Sequence, residues 1–276
     1  MGSTTLLATG RSRLSLVTRH AQLGLVAALL AATAAGCSSG SAPRNLTEAK
    51  QIAASCPEGR QIAGRAAIDV SGSRRAVADE DGRLDPVRDL VRMVAICGGD
   101  LRVDAFSGSS ASTAAVYDGE PRLHGATDNA RFRREPAVTD SVMAEVKKNL
   151  PVVSAKLPAG GTDISAQLGL SGEYKRQLDP NGSRYDLHLV ITTDGVQTEG
   201  VSLTDPALTP DRAAQLAKQV SAPDLSGADV RLTDIGKVAG SPPSTQYIDA
   251  LKAFYTALCA QTKAAGCVVV TDGAGR

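Results

Sequence analysis

The sequence predicts an α/β protein in which a mostly parallel central sheet, with one antiparallel edge strand, is doubly wound by helices on both faces. Short apolar runs alternate with segments of helical periodicity, and this alternation is typical of parallel strands joined by helical crossovers. The core is expected to be aliphatic, because the 276-residue chain has no Trp and only 3% aromatic residues against 42% hydrophobic residues. Ala-rich helices packed on a Val- and Ile-rich sheet fit that composition.

The strands are predicted from apolar runs that end in turn residues. The segments LRVDAFS and TAAVYDG are separated only by GSSAS, so we expect them to form an antiparallel pair at an edge of the sheet. RYDLHLVITT is the strongest strand pattern in the chain. The predicted strands cover 65–70, 101–107, 113–119, 184–193 and 228–236, and residues 267–276 are a short last strand or a tail.

The helices are predicted from apolar residues at helical spacing and from their start signals. Pro86 and Pro210 stand at first helical positions, where the missing N–H of proline costs nothing. Residues 120–138 have no clear period and carry several arginines, so no element is assigned to them. The predicted helices cover 47–55, 86–97, 140–150, 164–178, 209–220 and 244–266.

Residues 1–36 are interpreted as a lipoprotein signal peptide. Three arginines precede the apolar run Ala21–Ala35. At about 15 residues this run is shorter than the roughly 20 residues that span a bilayer. It ends in AAGC, which resembles a bacterial lipobox.

The resemblance to a lipobox implies that Cys37 becomes the lipidated N-terminus. We therefore expect a lipid anchor at Cys37, a flexible tether over 37–46 and a single domain over 47–276. The protein is expected to be held by its lipid at the cell membrane, facing the extracytoplasmic side. The alternative is an ordinary signal peptide that leaves Cys37 as a free thiol.

The other four cysteines are an even number in an exported chain, which predicts disulfide bonds. Four cysteines allow three connectivities, and the sequence does not choose among them. We favour Cys56–Cys97 and Cys259–Cys267, because the second pair spans a helix end at which KAAG reverses the chain. The absence of a CxxC spacing disfavours a zinc site.

Oxygen-bearing side chains follow the predicted strands where the strands end. Asp69, Ser71 and Ser73 alternate after the first strand, and Asp194 follows the strongest one. Thr162 lies in the loop GGTD, which opens a helix. Because ligands of parallel sheets bind at the carboxyl ends of the strands, we expect these side chains to converge on one edge. Hydroxyl and carboxylate ligands suit Mg²⁺, Mn²⁺ or Ca²⁺.

The motifs DVSGS, GGTD and TDG, in this order, resemble the metal-ion-dependent adhesion site of von Willebrand factor type A (VWA) domains. That family's pattern is Asp-x-Ser-x-Ser in a first loop, a Thr in a second and an Asp in a third. The residues that match it here are Asp69, Ser71, Ser73, Thr162 and Asp194.

The resemblance covers roughly residues 60–270 and implies a VWA/Rossmann-like fold with a divalent ion at the top of the sheet. It implies that a partner's acidic side chain completes the coordination of the ion. It also implies that Thr162 binds the ion directly or through water, and that Asp194 acts through water. The alternative for Asp69 and the two serines is a strand-end turn in which they bind their own backbone.

The sequence favours a binding module over an enzyme. Thirty Lys and Arg against 29 Asp and Glu give no field that would attract nucleic acid. No nucleophile elbow, P-loop or kinase signature is present. We therefore expect a membrane-anchored VWA-like module that engages an acidic group of a protein or peptide partner through its metal ion. The alternatives are a degenerate metal-free scaffold, a Mg²⁺-dependent hydrolase and a small solute-binding lipoprotein.

Overall fold

A computed structural model describes residues 44–75 and 82–272, and these residues belong to one compact unit. The predicted signal peptide and the lipidation site Cys37 lie outside the described residues. Helix α1 begins at Arg44, which is inside the segment 37–46 that the sequence predicts as a tether.

The centre of the protein is a six-stranded sheet in the order β3-β2-β1-β4-β5-β6. The β2–β3 pair is antiparallel and every other neighbouring pair is parallel. The chain order reverses between β1 and β4, which makes this point the topological switch of a doubly wound sheet. The predicted fold class is therefore confirmed. The strands are β1 Gln61–Asp69, β2 Gly99–Phe106, β3 Thr113–Gly119, β4 Tyr185–Thr192, β5 Asp229–Thr233 and β6 Gly266–Val269.

Helices cover both faces of the sheet. No helix among residues 44–75 and 82–272 is long and apolar enough to cross a membrane. The helices are α1 Arg44–Ala54, α2 Gly72–Arg75, α3 Asp85–Cys97, α4 Asp128–Phe132, α5 Glu135–Ser154, α6 Ile164–Leu178, α7 Pro210–Ala217 and α8 Thr245–Gln261.

Strand β1 is buried on both sides, and its residues alternate between two cores. Ile62, Ala66 and Ile68 pack in one hydrophobic cluster with buried residues of α3 and α5. Ala63 and Ala67 pack in the other cluster with residues of α6 and α8. This alternation is the period-2 geometry of a strand. The run of alanines that makes β1 look weak as a strand therefore lies between two helical layers.

The segment 120–138, which sequence periodicity leaves unassigned, contains α4 and the start of α5. Thr127 caps α4 by accepting a hydrogen bond from the N–H of Ala130 at 3.2 Å. Glu135 opens α5 and is buried, and its carboxylate accepts hydrogen bonds from Arg92 of α3 at 3.0 Å and from Thr139 at 2.8 Å. The first turn of α5 is therefore stabilised by a contact with another helix, which local periodicity does not reveal.

The favoured disulfide pairing is confirmed. Cys56 is bonded to Cys97, with 5.4 Å between their Cα atoms. Cys259 is bonded to Cys267, with 6.3 Å between their Cα atoms. The first bond joins the turn after α1 to the end of α3, and the second joins α8 to β6.

Arg65 of β1 is a buried charge that ties the sheet to α6. Its Nε donates to a carboxylate oxygen of Asp104 in β2 at 2.9 Å. The other guanidinium nitrogens donate to the side-chain oxygen of Gln167 at 2.9 Å and to the hydroxyl of Ser171 at 2.8 Å, both in α6. Arg102 also donates to Asp104, at 2.8 Å. Each guanidinium nitrogen of Arg65 thus has a hydrogen-bond partner, and a buried charge is tolerated only when it is paired in this way.

Replacing Asp104 by Ala should strongly destabilise the fold, because Arg65 would keep a buried charge without its partner. Breaking one partner of a buried pair costs about 3–5 kcal/mol. The matched control is Asp118→Ala, because Asp118 is an exposed partner of Arg102 and exposed pairs contribute at most about 1 kcal/mol. Urea unfolding of both variants measures the difference, and equal losses would contradict this account.

Candidate functional site

The carboxyl ends of β1, β4 and β5 lie side by side at one edge of the sheet. Asp69 is the last residue of β1, and Asp194 follows the last residue of β4 by two positions. Thr162 immediately precedes the N-cap of α6, Asp163. The topological switch point of the sheet therefore coincides with the residues that the sequence singles out.

Asp69 is fully buried and holds two turns together. One of its carboxylate oxygens accepts a hydrogen bond from the N–H of Ser71 at 2.9 Å. The other accepts from the hydroxyl of Thr193 at 2.7 Å. The first contact is the local turn that was the alternative interpretation of this motif, and the second joins β1 to the end of β4.

Ser73 and Asp194 are in direct contact, although 121 residues separate them in the chain. The hydroxyl of Ser73 donates to one carboxylate oxygen of Asp194 at 2.6 Å. The other oxygen accepts from the N–H of Val196 at 2.9 Å. The first and third predicted loops thus meet through their side chains.

Ser71 carries a buried hydroxyl that has no hydrogen-bond partner among residues 44–75 and 82–272. Its side chain lies in the same turn as Asp69, whose carboxylate binds the main chain of Ser71 and not its hydroxyl. Buried hydroxyls are nearly always paired with protein groups, water or ions. The hydroxyl oxygen of Ser71 is therefore available to a ligand beside Asp69.

The loop that carries Thr162 lies against both other loops through its main chain. A Cβ added at Gly72 would lie 3.0 Å from the carbonyl oxygen of Ala159, so the close approach favours glycine there. The N–H of Thr162 donates to the hydroxyl of Thr198 at 2.8 Å, and its carbonyl accepts from the N–H groups of Thr198 and Glu199. Thr162 itself is buried.

Burial raises the pKa of Asp194 to about 6. The negative charge of Asp69 acts in the same direction, while the hydrogen bonds from Ser73 and Val196 and the charge of Arg74 oppose the shift. Two carboxylates in a desolvated site disfavour each other's ionisation. A positive charge placed between the loops would relieve that repulsion.

Two buried arginines, which the sequence analysis did not single out, line the same edge. Arg74 donates to a carboxylate oxygen of Asp234 at 2.7 Å and to the carbonyl of Lys237 at 2.6 Å. Arg83 donates to the carbonyl oxygen of Asp69 and, at 3.3 Å, to that of Arg74. Burial lowers the pKa of Arg83 to about 10, and the neighbouring charge of Arg74 adds to that effect.

These residues escaped sequence analysis because arginines in a polar loop usually lie in solvent. Asp234, the partner of Arg74, directly follows β5, and Asp194 follows β4 by two positions, so a position just after a strand was the available signal. The φ of +70° at Asp234 is uncommon for a residue other than glycine. The backbone here adopts a costly conformation at the residue that pairs with Arg74.

The oxygen atoms of these side chains are of the chemical type that binds a hard divalent ion. Asp69 and Asp194 supply carboxylates and Ser71 and Ser73 supply hydroxyls, and oxygen ligands of this kind suit Mg²⁺, Mn²⁺ or Ca²⁺. Within residues 44–75 and 82–272, no group of three or more His, Cys, Asp or Glu is arranged to hold a metal. A site here would therefore depend on its hydroxyls as much as on its carboxylates.

The architecture is a VWA/Rossmann-like α/β fold, a doubly wound sheet with one antiparallel edge strand. No family model matches the sequence, and no curated protein matches it at a significant level. The classification of the fold therefore rests on its own strand order and helix placement.

Several solved structures are similar to this chain at a low level, and three of them illustrate the likeness. An aerotolerance-related membrane protein from Bacteroides fragilis is 13% identical, with a TM-score of 0.37, over 76% of this chain and 90% of that one. A von Willebrand factor type A protein from Catenulispora acidiphila is 19% identical, with a TM-score of 0.36, over 78% of this chain and 40% of that one. The pilus adhesin SpaC from Lactobacillus rhamnosus GG is 11% identical, with a TM-score of 0.38, over 79% of this chain and 29% of that one. These values are too low to assign the chain to any of their families.

The raised pKa of Asp194 predicts a specific pH dependence of stability. Because the folded-state pKa is about 6 against an ordinary value of 3.8, the folded protein binds more protons at this carboxyl between those pH values. The stabilising contribution of the protonated Asp194 carboxyl to the free energy of unfolding is fully present below pH 3.8 and is lost as the pH rises through about 6.

Asp194→Asn should therefore become more stable relative to the wild type as the pH rises, by up to about 3 kcal/mol. Urea unfolding in EDTA at about pH 4 and about pH 7 gives this difference. Asp249→Asn, an exposed change on α8, should show no such trend. Parallel pH profiles for Asp194→Asn and the wild type would contradict the assignment.

Proposed function

We propose that this protein is a VWA-like binding module that uses a divalent metal ion to engage an acidic group of a protein or peptide partner. The observation that carries the proposal is the buried, unpaired hydroxyl of Ser71 beside the buried carboxylates of Asp69 and Asp194. A cation supplies the partner that this hydroxyl lacks, and it offsets the repulsion between the two carboxylates.

Each residue of the proposed site has a distinct task. Ser71 and Ser73 offer hydroxyl oxygens to the ion, and the contact between Ser73 and Asp194 holds the first and third loops in register. Asp69 and Asp194 balance the charge of the ion. Thr162 offers a third hydroxyl from the loop that lies against both others. When bound, the ion supplies a concentrated positive charge, which a partner's carboxylate neutralises.

The protein acts, in this proposal, at the outer face of a cell membrane. The lipobox-like sequence places a lipid on Cys37, and the short segment that follows keeps the domain near the bilayer. The disulfides Cys56–Cys97 and Cys259–Cys267 support an oxidising, extracytoplasmic location.

We propose binding and not catalysis as the role of the site. Hydrolysis on a metal needs a general base within hydrogen-bond reach of the substrate. Histidine is the commonest such base, and the two histidines among the described residues lie elsewhere; the carboxylates of Asp69 and Asp194 are assigned to the ion in this proposal. His188 lies in β4 beside Asp229, and His124 lines a cavity at the amino ends of the strands with Gln61 and Gly99.

Metal addition should stabilise the wild type and not the variant Asp69→Ala. A ligand at about 100 times its dissociation constant raises the free energy of unfolding by roughly 2.7 kcal/mol if it binds only the folded state. Thermal or urea unfolding of the purified protein, in EDTA and then in Mg²⁺, Mn²⁺ or Ca²⁺, measures this rise.

The matched control is Asp249→Ala, which removes an exposed carboxylate from α8 and should keep the full response to metal. An equal rise in the wild type and in Asp69→Ala would show that the ion binds elsewhere. A wild type that responds to none of the three ions would favour the metal-free scaffold instead.

A further inference from the structure

The edge of the sheet that carries the proposed site contains its own positive charges. Asp69 is the last residue of β1, and Asp194 and Asp234 lie just after the neighbouring strands β4 and β5. The guanidinium groups of Arg74 and Arg83 are buried among them. The two arginines therefore already offset part of the negative charge that would attract a divalent ion to this cluster.

Arg83 is the arginine most closely tied to the proposed ligands. Its guanidinium donates to the carbonyl oxygen of Asp69, the first of the proposed ligands along the chain. Only 4% of Arg83 is exposed, so solvent screens its charge weakly. Its charge interacts with the carboxylates of Asp69, Asp234 and Asp194.

Arg74 has a different and dedicated partner. Its guanidinium is paired with Asp234 and donates to the carbonyl of Lys237. Among the residues that the structure describes, Arg83 makes its hydrogen bonds to main-chain carbonyl oxygens, those of Asp69 and Arg74. The charge of Arg83 acts on Asp69 more than on Asp234 or Asp194, whereas the charge of Arg74 acts on Asp194 as well as on Asp234.

We propose that Arg83 sets the metal affinity of the site by holding a buried positive charge against Asp69. This inference rests on the proposed metal site. The guanidinium offsets part of the negative charge of the buried Asp69 carboxylate. The same guanidinium repels an incoming divalent ion, so it weakens metal binding.

The test is a titration of the purified protein with Mn²⁺ alone, followed by calorimetry, for the wild type and Arg83→Met. Removing the charge should lower the dissociation constant of Mn²⁺ by roughly tenfold or more, since buried charges at short range interact by more than the free energy that a tenfold change requires. Arg83→Lys keeps the charge but loses the planar fork, and it should bind Mn²⁺ within a few-fold of the wild type. Arg122→Met removes an exposed arginine that pairs with Glu120 and should change nothing.

The outcomes separate this inference from the proposed function. Tighter binding in Arg83→Met but not in Arg83→Lys supports the role of the charge. Equal or weaker binding in a folded Arg83→Met, or the same gain in Arg83→Lys, overturns it while the metal site stands. Absence of Mn²⁺ binding in the wild type and in every variant overturns both. If Arg83→Met does not fold, Arg83→Gln, which keeps an N–H donor without the charge, takes its place.

Discussion

The pairing of β1 with β4 is the constraint on which the rest of the structure depends. Their register places Ile68 opposite Thr192, so Asp69 lies level with Thr193 and accepts its hydrogen bond. A slip of one residue would send every β1 side chain to the opposite face. It would also carry Asp69 away from Thr193 and Asp194. The cores on the two faces of β1 thus hold the register that assembles the polar edge.

Burying the charged groups at this edge of the sheet costs free energy, and opposite charges placed next to one another offset part of that cost. Buried carboxylates and guanidiniums lose their hydration, and they are tolerated only with good partners. Arg74 and Asp234 form a direct pair, whereas Asp194 retains a raised pKa because burial and the charge of Asp69 outweigh its donors. The hydroxyl of Ser71 remains unpaired. Both features belong to residues of the proposed metal site.

Much of the architecture could be predicted because it depends on local patterns. The alternation of apolar runs with helical periodicity predicted five strands and the antiparallel edge pair, and the structure has both. The first turn of α5 was not predictable in this way, because Glu135 is held by Arg92 from another helix. The motifs named candidate ligands, yet neither Arg74 nor Arg83 gave a signal. A charged residue becomes a buried one only when the folded chain closes around it.

What the sequence by itself determined is therefore the order of elements, the sheet class and the positions of oxygen-bearing side chains after the strands. These properties follow from side-chain periodicity and turn chemistry, which act over a few residues. Only the tertiary structure decided that Ser73 contacts Asp194, that the hydroxyl of Ser71 is left without a partner, and that Arg83 lies against Asp69. Those facts depend on which distant segments meet and how far they are desolvated, and a charge or hydroxyl has its energetic consequence only in that setting.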